Sequence, residues 1–372
     1  MKIATTLALA ALMAMSGFAQ DSQPRQPQQP SSTTGQTPAP KSTPLVIPGS
    51  MVGYVDDAVV STQVRFRFDS AYGDHAPDRA EFFYPQCSCT NLPGAPGPNF
   101  PGASSDINFQ QEYVQAEYAV QRRLSLFAEV PFRSIEPQPG SFVAGSFSPA
   151  EVPSTNTQSR IGDIKSGIKF AVQTTPDRVV TVQFRAYFPT GDGSRGLGTD
   201  HYSIEPSLLY YQRLSNRWAV ESQVGDWHPV GGSQGEQIGS QTLSNFAGDV
   251  FFYGVGPSYL LVDGPRVKFA PVVELFGWRV LGGLQTPPTP FPANSICTTG
   301  VGGCSVSAAG TDIVNLKLGG RVLLGERDSF YAGYGRALTS ATWYDDIIRI
   351  EFRRTFKAAP FLDGMVRRFA RN

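Results

Sequence analysis

The sequence is short of charged residues and of histidine. Asp, Glu, Lys and Arg make up only 17% of the 372 residues, and the formal net charge is zero. A chain without a basic excess lacks the electrostatic signature of a nucleic-acid-binding protein. The three histidines, His75, His201 and His228, form no metal-binding motif with other ligand residues. We therefore expect no nucleic-acid partner, no metal and no cofactor.

Sequence motifs of the common enzyme classes are also missing. The chain has no P-loop, no dinucleotide-binding fingerprint and no HExxH motif. The nearest catalytic candidate is the pair His201 and Ser203, which share one face of a predicted strand. A hydrolase also needs a third group that orients the histidine, and the sequence identifies none. We therefore predict that the protein is not an enzyme.

Apolar runs long enough to span a membrane as a helix, about 20 residues, are absent too. Residues 1–19 have the parts of a signal peptide, with Lys2, the apolar core Ile3–Met15, and Gly17 and Ala19 before the cleavage point. Residues 20–44 are rich in Pro, Gln, Ser and Thr, which predicts a disordered periplasmic tail. An exported chain without a membrane helix enters a membrane only as a closed barrel.

Glycine (38), phenylalanine (25) and tyrosine (14) are plentiful, as is typical of all-β proteins. In Arg178–Phe188, Val182 and Phe184 alternate with Gln183 and Arg185, a period of two that indicates a strand. Similar segments predict twelve strands: Val60–Asp69, Phe109–Val120, Leu124–Arg133, Ile161–Gln173, Arg178–Phe188, Tyr202–Arg213, Trp218–Trp227, Gly248–Val262, Arg266–Val280, Ile313–Leu324, Ser329–Leu338 and Asp346–Phe356. Pro271, inside one of them, predicts a local bulge.

The connections between these strands alternate in length. They are mostly long after odd-numbered strands and short after even-numbered ones, as in bacterial outer-membrane barrels. The sequence thus predicts an all-β fold over residues 45–356: a transmembrane, antiparallel up-and-down β-barrel of about 12 strands, with long outer loops and short periplasmic turns. Within it, Leu45–Val59 is a lead-in expected to lie under or inside the barrel. Residues 357–372 form a basic C-terminal tail.

Alternation assigns many charged side chains to the inner face of this barrel. The candidates for lining the lumen are Arg65, Arg67, Lys165, Lys169, Arg185, Glu205, Glu221, Lys268, Glu274, Lys317, Arg321, Arg349, Glu351 and Arg353, with Glu117 and Glu129 on the same face. A basic excess along a water-filled lumen favours anions. Alternatively, the arginines and glutamates pair across neighbouring strands and fill a narrow bore.

Two further residue classes leave alternatives open. Cys87, Cys89, Cys297 and Cys304 lie in predicted connections, so either Cys297 pairs with Cys304 or a disulfide joins the two loops. Aromatic residues near the predicted strand ends favour girdles at the two membrane interfaces, and the alternative is a lining for aromatic solutes. These residues are Tyr54, Tyr113, Tyr118, Tyr210, Tyr211, Trp218, Trp227, Trp278, Tyr334, Trp343 and Tyr344.

Two motifs indicate a family. Gly162–Lys169 has the form GDIxxGxK, and Pro189–Asp192, with the sequence PTGD, is followed by Gly196–Thr199, with the sequence GLGT. Together they resemble the outer-membrane barrel family named after the MetA pathway of phenol degradation, over roughly Arg160 to the C-terminus. The resemblance implies a porin-like channel or transporter barrel.

The predicted function is passage of small solutes, with hydrophobic or aromatic solutes implied by the resemblance. The alternative is a surface structural or adhesin barrel that works through its long outer loops and has a filled lumen. The expected location is the outer membrane of a diderm bacterium. The expected partners are outer-membrane lipid, small-molecule solutes and, during insertion, the barrel-assembly machinery.

Overall fold

Twelve long strands alternate in direction around a closed barrel in the computed structural model. They are β1 (Thr62–Asp74), β2 (Ile107–Gln121), β3 (Leu124–Pro137), β4 (Ile164–Thr174), β5 (Arg178–Phe188), β6 (Tyr202–Arg213), β7 (Trp218–Val230), β8 (Val250–Tyr259), β9 (Val267–Val280), β10 (Asp312–Leu324), β11 (Asp328–Ala337) and β12 (Asp346–Phe356). Each strand pairs antiparallel with the next, and β1 pairs with β12, which closes the barrel. The predicted fold is confirmed.

The structure describes residues 49–74, 107–137, 157–193, 197–199, 201–230, 237–238, 241–242, 247–285, 296–297 and 304–356, all within the compact unit Val46–Asn372. The predicted signal peptide, disordered tail and basic C-terminal tail lie outside these residues, as do His75, Cys87 and Cys89. Within the described ranges, no helix has the length and hydropathy needed to cross a membrane.

The two ends of the barrel differ. Thr62 and Phe356 are register partners, and the short connections after β2, β4, β6, β8 and β10 lie at their end of the barrel, the short-turn end. The opposite end, the long-loop end, carries the connections after β1, β3, β5, β7, β9 and β11. The predicted alternation of connection lengths is therefore present, although the connection between β11 and β12 is brief.

The two faces of the wall differ in chemistry, and β5 shows the difference clearly. Val182 and Phe184 are 46% and 40% exposed, whereas Thr181 and Gln183 are at most 1% exposed. The same alternation leaves apolar side chains exposed on the other strands, among them Phe66, Leu126 and Leu318. The barrel therefore has an apolar outer face and a polar interior, the reverse of a soluble protein.

Short strands complete the structure. Gln158–Ile161 pairs with β3, and Val262–Asp263 pairs with β9. Gln237–Ile238 pairs with Gln241–Thr242, and Cys304–Ser307 pairs with both Leu284–Gln285 and Ile296–Cys297. The last pairing sets Cys297 opposite Cys304 in the backbone register, and a disulfide between them stays a prediction.

One local prediction was wrong. The predicted strand Ile161–Gln173 is interrupted at Gly162 and Asp163, because Asp163 turns inward to hold a loop. The irregularity predicted at Pro271 occurs on one side of β9 only. The β9–β10 register runs through Pro271 unbroken. On the other side the register shifts by one residue, from the pair Ser258 and Val272 to the pair Val262 and Phe269.

Candidate functional site in the barrel interior

Residues 49–60, here called the interior segment, lie inside the barrel without forming a strand. Met51, Val52, Val55 and Ala58 are each no more than 5% exposed. Of the lead-in predicted to lie under or inside the barrel, the described part, residues 49–59, thus occupies its interior. An extended chain away from water must find partners for its backbone N–H and C=O groups, and here the barrel wall supplies them.

Wall side chains accept hydrogen bonds from the N–H groups of the interior segment. Glu274 accepts from the N–H groups of Gly53, Tyr54 and Val55 at 2.8–2.9 Å. Glu221 accepts from the Met51 N–H at 2.8 Å. Glu274 accepts three of these short hydrogen bonds and Glu221 one, so Glu274 is the main anchor.

Wall arginines donate to the carbonyl groups of the same segment. Arg321 donates to the Val52 carbonyl at 2.7 Å, and Arg349 donates to the Gly53 carbonyl at 2.7 Å. These arginines also pair with wall carboxylates. Arg321 pairs with Glu351 at 2.8 Å, and Arg349 pairs with Asp69 at 2.6 Å. Each guanidinium thereby ties the segment to two places on the wall.

The interior segment enters and leaves at the same end of the barrel. Arg353, close to the short-turn end of β12, contacts both the Ser50 carbonyl and the Asp57 carboxylate, at 3.3 and 3.1 Å. Arg349, four residues deeper along β12, contacts Gly53. The segment therefore rises from the short-turn end, turns over near Tyr54 and returns to the start of β1.

Apolar side chains close the short-turn side of this segment. Ala58 packs with Ala171, Val179, Leu209 and Tyr211, all at most 2% exposed. Thr181 donates to the Ala58 carbonyl at 2.5 Å. The bore is therefore filled from its centre to the short-turn end, while its long-loop side holds a cavity.

This cavity has a volume of about 150 Å³. Its aromatic lining comprises Tyr54, Phe109, Tyr113, Tyr187, Phe252, Phe276, Trp278 and Tyr344. Its charged lining comprises Arg67, Lys165, Arg185, Lys317 and Arg349 against Asp56, Asp69, Glu129 and Glu205, with Gln223 and Ile347 completing the wall. Tyr54 and Asp56 belong to the interior segment, which therefore forms the floor.

Tyr54 is held between two cations. The Lys317 Nζ atom lies 3.6 Å from the centroid of its ring, and the Arg349 Cζ atom lies 3.9 Å from it. Two cations so close to one centroid lie on opposite faces of the ring, because on one face they would collide. Such contacts stabilise by about 2 kcal/mol or more when desolvated. Lys317 is also within 6 Å of the ring centroids of Phe276, Trp278 and Tyr344.

The sequence-predicted lumen candidates lie where alternation placed them, with one at the edge. Buried side chains, none more than 8% exposed, are those of Arg65, Lys165, Lys169, Glu205, Glu221, Glu274, Lys317, Arg321, Arg349, Glu351 and Arg353. Arg67 and Arg185 are slightly more exposed. Lys268 lies at the short-turn end, where it pairs with Asp263. Their role in lining a conducting path remains a prediction.

Most of these charges pair across neighbouring strands. Lys165 contacts Glu129 on the neighbouring strand at 2.9 Å. Lys169 on β4 reaches past β3 to Glu117 on β2, at 3.0 Å. Arg185 contacts both Glu205 and Asp56 of the interior segment, each at 2.6 Å. The basic excess expected from the strands alone is therefore reduced by acidic residues that the sequence pattern did not assign to the interior, namely Asp56, Asp57 and Asp69.

The interpretation of the aromatic residues as interfacial girdles was wrong for seven of them. Tyr113 lines the interior cavity. Tyr54, Tyr211, Trp227, Trp278, Trp343 and Tyr344 are at most 8% exposed and face the interior. Tyr118, Trp218 and Tyr334 are more than 40% exposed on the outer face, as a girdle requires. Nearness to a strand end did not distinguish the two groups. Within a strand they are distinguished by alternation, because successive side chains point to opposite faces of the wall.

The two motifs that indicated a family contact each other. The Asp163 carboxylate, fully buried, accepts hydrogen bonds from the N–H groups of Gly191 and Thr199 and from the Thr199 hydroxyl, at 2.8–2.9 Å. A Cβ atom at Gly198 would lie 2.7 Å from an Asp163 oxygen, so only glycine fits there. The first motif thus fastens the loop formed by the second.

Replacing Asp163 with alanine is expected to destabilise the barrel by about 3 kcal/mol, because the N–H groups of Gly191 and Thr199 lose their acceptor. Equilibrium unfolding in urea, with the protein in detergent micelles, measures the loss. Asp177→Ala is the matched control, since that carboxylate sits exposed in a short turn and its pair with Arg213 contributes less than about 1 kcal/mol. Equal stabilities for the two variants would show that Asp163 does not fasten the loop.

His201 and Ser203, the only catalytic candidates from the sequence, lie side by side. The Ser203 Oγ atom is 3.1 Å from His201 Nδ1, and the same nitrogen is 3.0 Å from the Tyr202 carbonyl oxygen. A carbonyl holds the proton on Nδ1, and a protonated nitrogen does not act as the base for the serine. The geometry gives no support to a hydrolase.

A group of potential metal ligands that the sequence did not single out lies at the long-loop end. Ligand atoms of Asp226, His228 and Asp249 lie within 4.8 Å of one another. His228 Nδ1 is 2.7 Å from an Asp249 oxygen, so a hydrogen bond accounts for the closeness of these two side chains. All three side chains are at least partly exposed.

Comparison with known proteins finds likeness in fold only. No family model matches the sequence, and no curated protein matches it. The COG4313 outer membrane channel from Pseudomonas putida F1 is similar over 80% of this chain and 96% of its own, with 12% identity and a TM-score of 0.46. The Pseudomonas putida toluene transporter TodX is similar over 79% and 88%, with 11% identity and a TM-score of 0.38. The NanC porin is similar over 80% and 100%, with 7% identity and a TM-score of 0.39.

Proposed function

We propose that the protein is an outer-membrane channel for small solutes whose passage is controlled by the interior segment. The observation that carries this proposal is the way the segment is held. It joins no strand, and side chains of the wall bind its backbone. A segment held in this way leaves without breaking the sheet, because no strand–strand hydrogen bond depends on it.

The wall supports a conducting state once the segment has moved. Its inner face carries charged and amide side chains on most strands, which water solvates readily. A barrel of twelve strands is wider than the eight-stranded barrels that their own side chains fill. The exposed apolar outer face supports a location in the outer membrane of a diderm bacterium.

The class of solute rests on the cavity at the long-loop side. Aromatic rings supply much of its lining, and this favours small solutes with apolar surface. The predicted resemblance to the MetA-pathway barrel family agrees with that choice.

Conductance in planar lipid bilayers tests the proposal. The variant Δ20–58 keeps the signal peptide and all twelve strands but lacks most of the interior segment. We expect long-lived conducting states from this variant, and rare, brief openings from the full mature chain. Equal, steady conductance of both proteins would mean that the segment is not the gate.

A filled barrel that works through its outer loops is the second candidate. The apolar cluster around Ala58 and Leu209 favours it, because this cluster excludes water from the short-turn end. Under this alternative the full mature chain shows no openings at all, because its lumen stays filled. The same recordings therefore distinguish the two candidates.

A further inference from the structure

The cavity above Tyr54 is built like a binding site for one class of small molecule. We propose that it binds a small aromatic carboxylate, with the ring among the aromatic walls and the carboxylate near Tyr54 and Lys317. This inference deepens the proposed function and rests on it for its biological meaning, but the binding site stands on its own geometry.

The size of the cavity fits one aromatic ring. Its volume is about 150 Å³. A protein cavity of about this volume accommodates a benzene molecule. Eight aromatic side chains line it, and these offer both faces and edges for ring packing. Phe276 and Trp278 lie with their ring centroids 4.6 Å apart on one side.

The charge of the cavity favours an anion. Five cationic side chains and four carboxylates line it, which leaves an excess of one positive charge. The carboxylates are already engaged, since Asp69 binds Arg349, and both Asp56 and Glu205 bind Arg185. A monoanion balances the charge of the lining residues, whereas a neutral ligand leaves it unchanged.

Two donors in the lining have no acceptor within the described part of the chain. The Tyr54 hydroxyl is buried, and the side chain as a whole is 8% exposed. The Arg67 Nε–H is also buried without a hydrogen bond, although the group lies 3.7 Å from an Asp69 oxygen. A buried donor without an acceptor is costly, and a carboxylate with two oxygens is suited to satisfying such donors.

Calorimetric titration of the detergent-solubilised full mature chain at neutral pH tests the inference. Benzoate is the probe, benzyl alcohol has a similar ring without the charge, and acetate has the charge without the ring. We expect benzoate to bind about tenfold tighter than either, the effect of one hydrogen bond to a charged group. Equal affinity for benzoate and benzyl alcohol, or no binding of benzoate, would overturn the proposal.

Two substitutions locate the site. Tyr54→Phe keeps the ring between its two cations and removes the hydroxyl, so benzoate affinity is expected to fall about tenfold while that for benzyl alcohol stays unchanged. Tyr118→Phe, on the exposed outer face of β2, is the control and leaves both affinities unchanged. Lys317→Met is expected to abolish the preference for benzoate, and Lys268→Met at the short-turn end is not. A preference that survives both Tyr54→Phe and Lys317→Met contradicts this site.

The outcomes of the binding experiment and of the conductance experiment are independent of each other. If benzoate binds but neither the full mature chain nor Δ20–58 conducts ions, the binding site is supported and the channel function is overturned. Conduction by a protein without benzoate preference overturns the site alone.

Discussion

Replacing Glu274 with alanine is expected to release the interior segment and to raise the open fraction of the barrel at least tenfold. The carboxylate accepts three backbone N–H groups and the Tyr331 hydroxyl, all at 2.8–3.0 Å. Each hydrogen bond to a charged group contributes about 1.5–3 kcal/mol, so their joint loss exceeds the 1.4 kcal/mol that changes a population tenfold. Single-channel recording measures the open fraction directly.

The matched control for this substitution is Glu112→Ala. Glu112 is exposed on the outer face of β2, so its loss leaves the interior unchanged. Conductance of Glu274→Ala that equals that of the control and of the unchanged protein would mean that Glu274 does not hold the gate.

Replacing Gly53 with alanine is the second substitution with a large expected effect. A Cβ atom at Gly53 would lie 2.2 Å from the Tyr331 ring, closer than any real contact. The ring has nowhere to move, because Tyr331 is 1% exposed, donates to Glu274 and packs edge-on against Tyr54. Overpacking of this kind costs about 1–3 kcal/mol, which displaces the segment rather than the wall.

Cysteine labelling measures that displacement. With the four native cysteines replaced by serine, a Val55→Cys side chain is expected to be protected from maleimide, since Val55 is 3% exposed. Adding Gly53→Ala is expected to speed the labelling about tenfold or more, in proportion to the displaced population. Gly49→Ala is the control, because its Cβ atom would meet nothing closer than 3.9 Å. Equal labelling rates in the two variants would contradict the steric argument.

The barrel wall was predictable from the sequence because each strand has two chemically different faces. β5, β6 and β12 have the predicted bounds, and their alternation identifies the buried residues. The break at Gly162–Asp163 was not predictable, since the residues that Asp163 binds lie in a loop distant in sequence. Periodicity reports the local neighbours of a residue and not its distant partners.

The interior segment shows a second limit of the sequence. Its contacts with Glu221 and Glu274 join residues about 170 and 220 positions apart, and they use backbone atoms that every residue possesses. No pattern of side chains marks such contacts. The buried glutamates Glu221 and Glu274 were assigned to the inner face by alternation, but that they bind main chain followed only from the structure.

The path of the interior segment determines the order in which its contacts break when it leaves the barrel. Both of its ends lie at the short-turn end, so no part of the chain is threaded through the barrel, and removal needs no opening of the β1–β12 seam. Tension applied from the Gly49 side breaks the attachments one after another, first Arg353, then Glu221, then Glu274 with Arg349. When the attachments break one at a time, the force needed at any moment is that of a single attachment. If all of them were loaded together, the force needed would be the sum over all attachments.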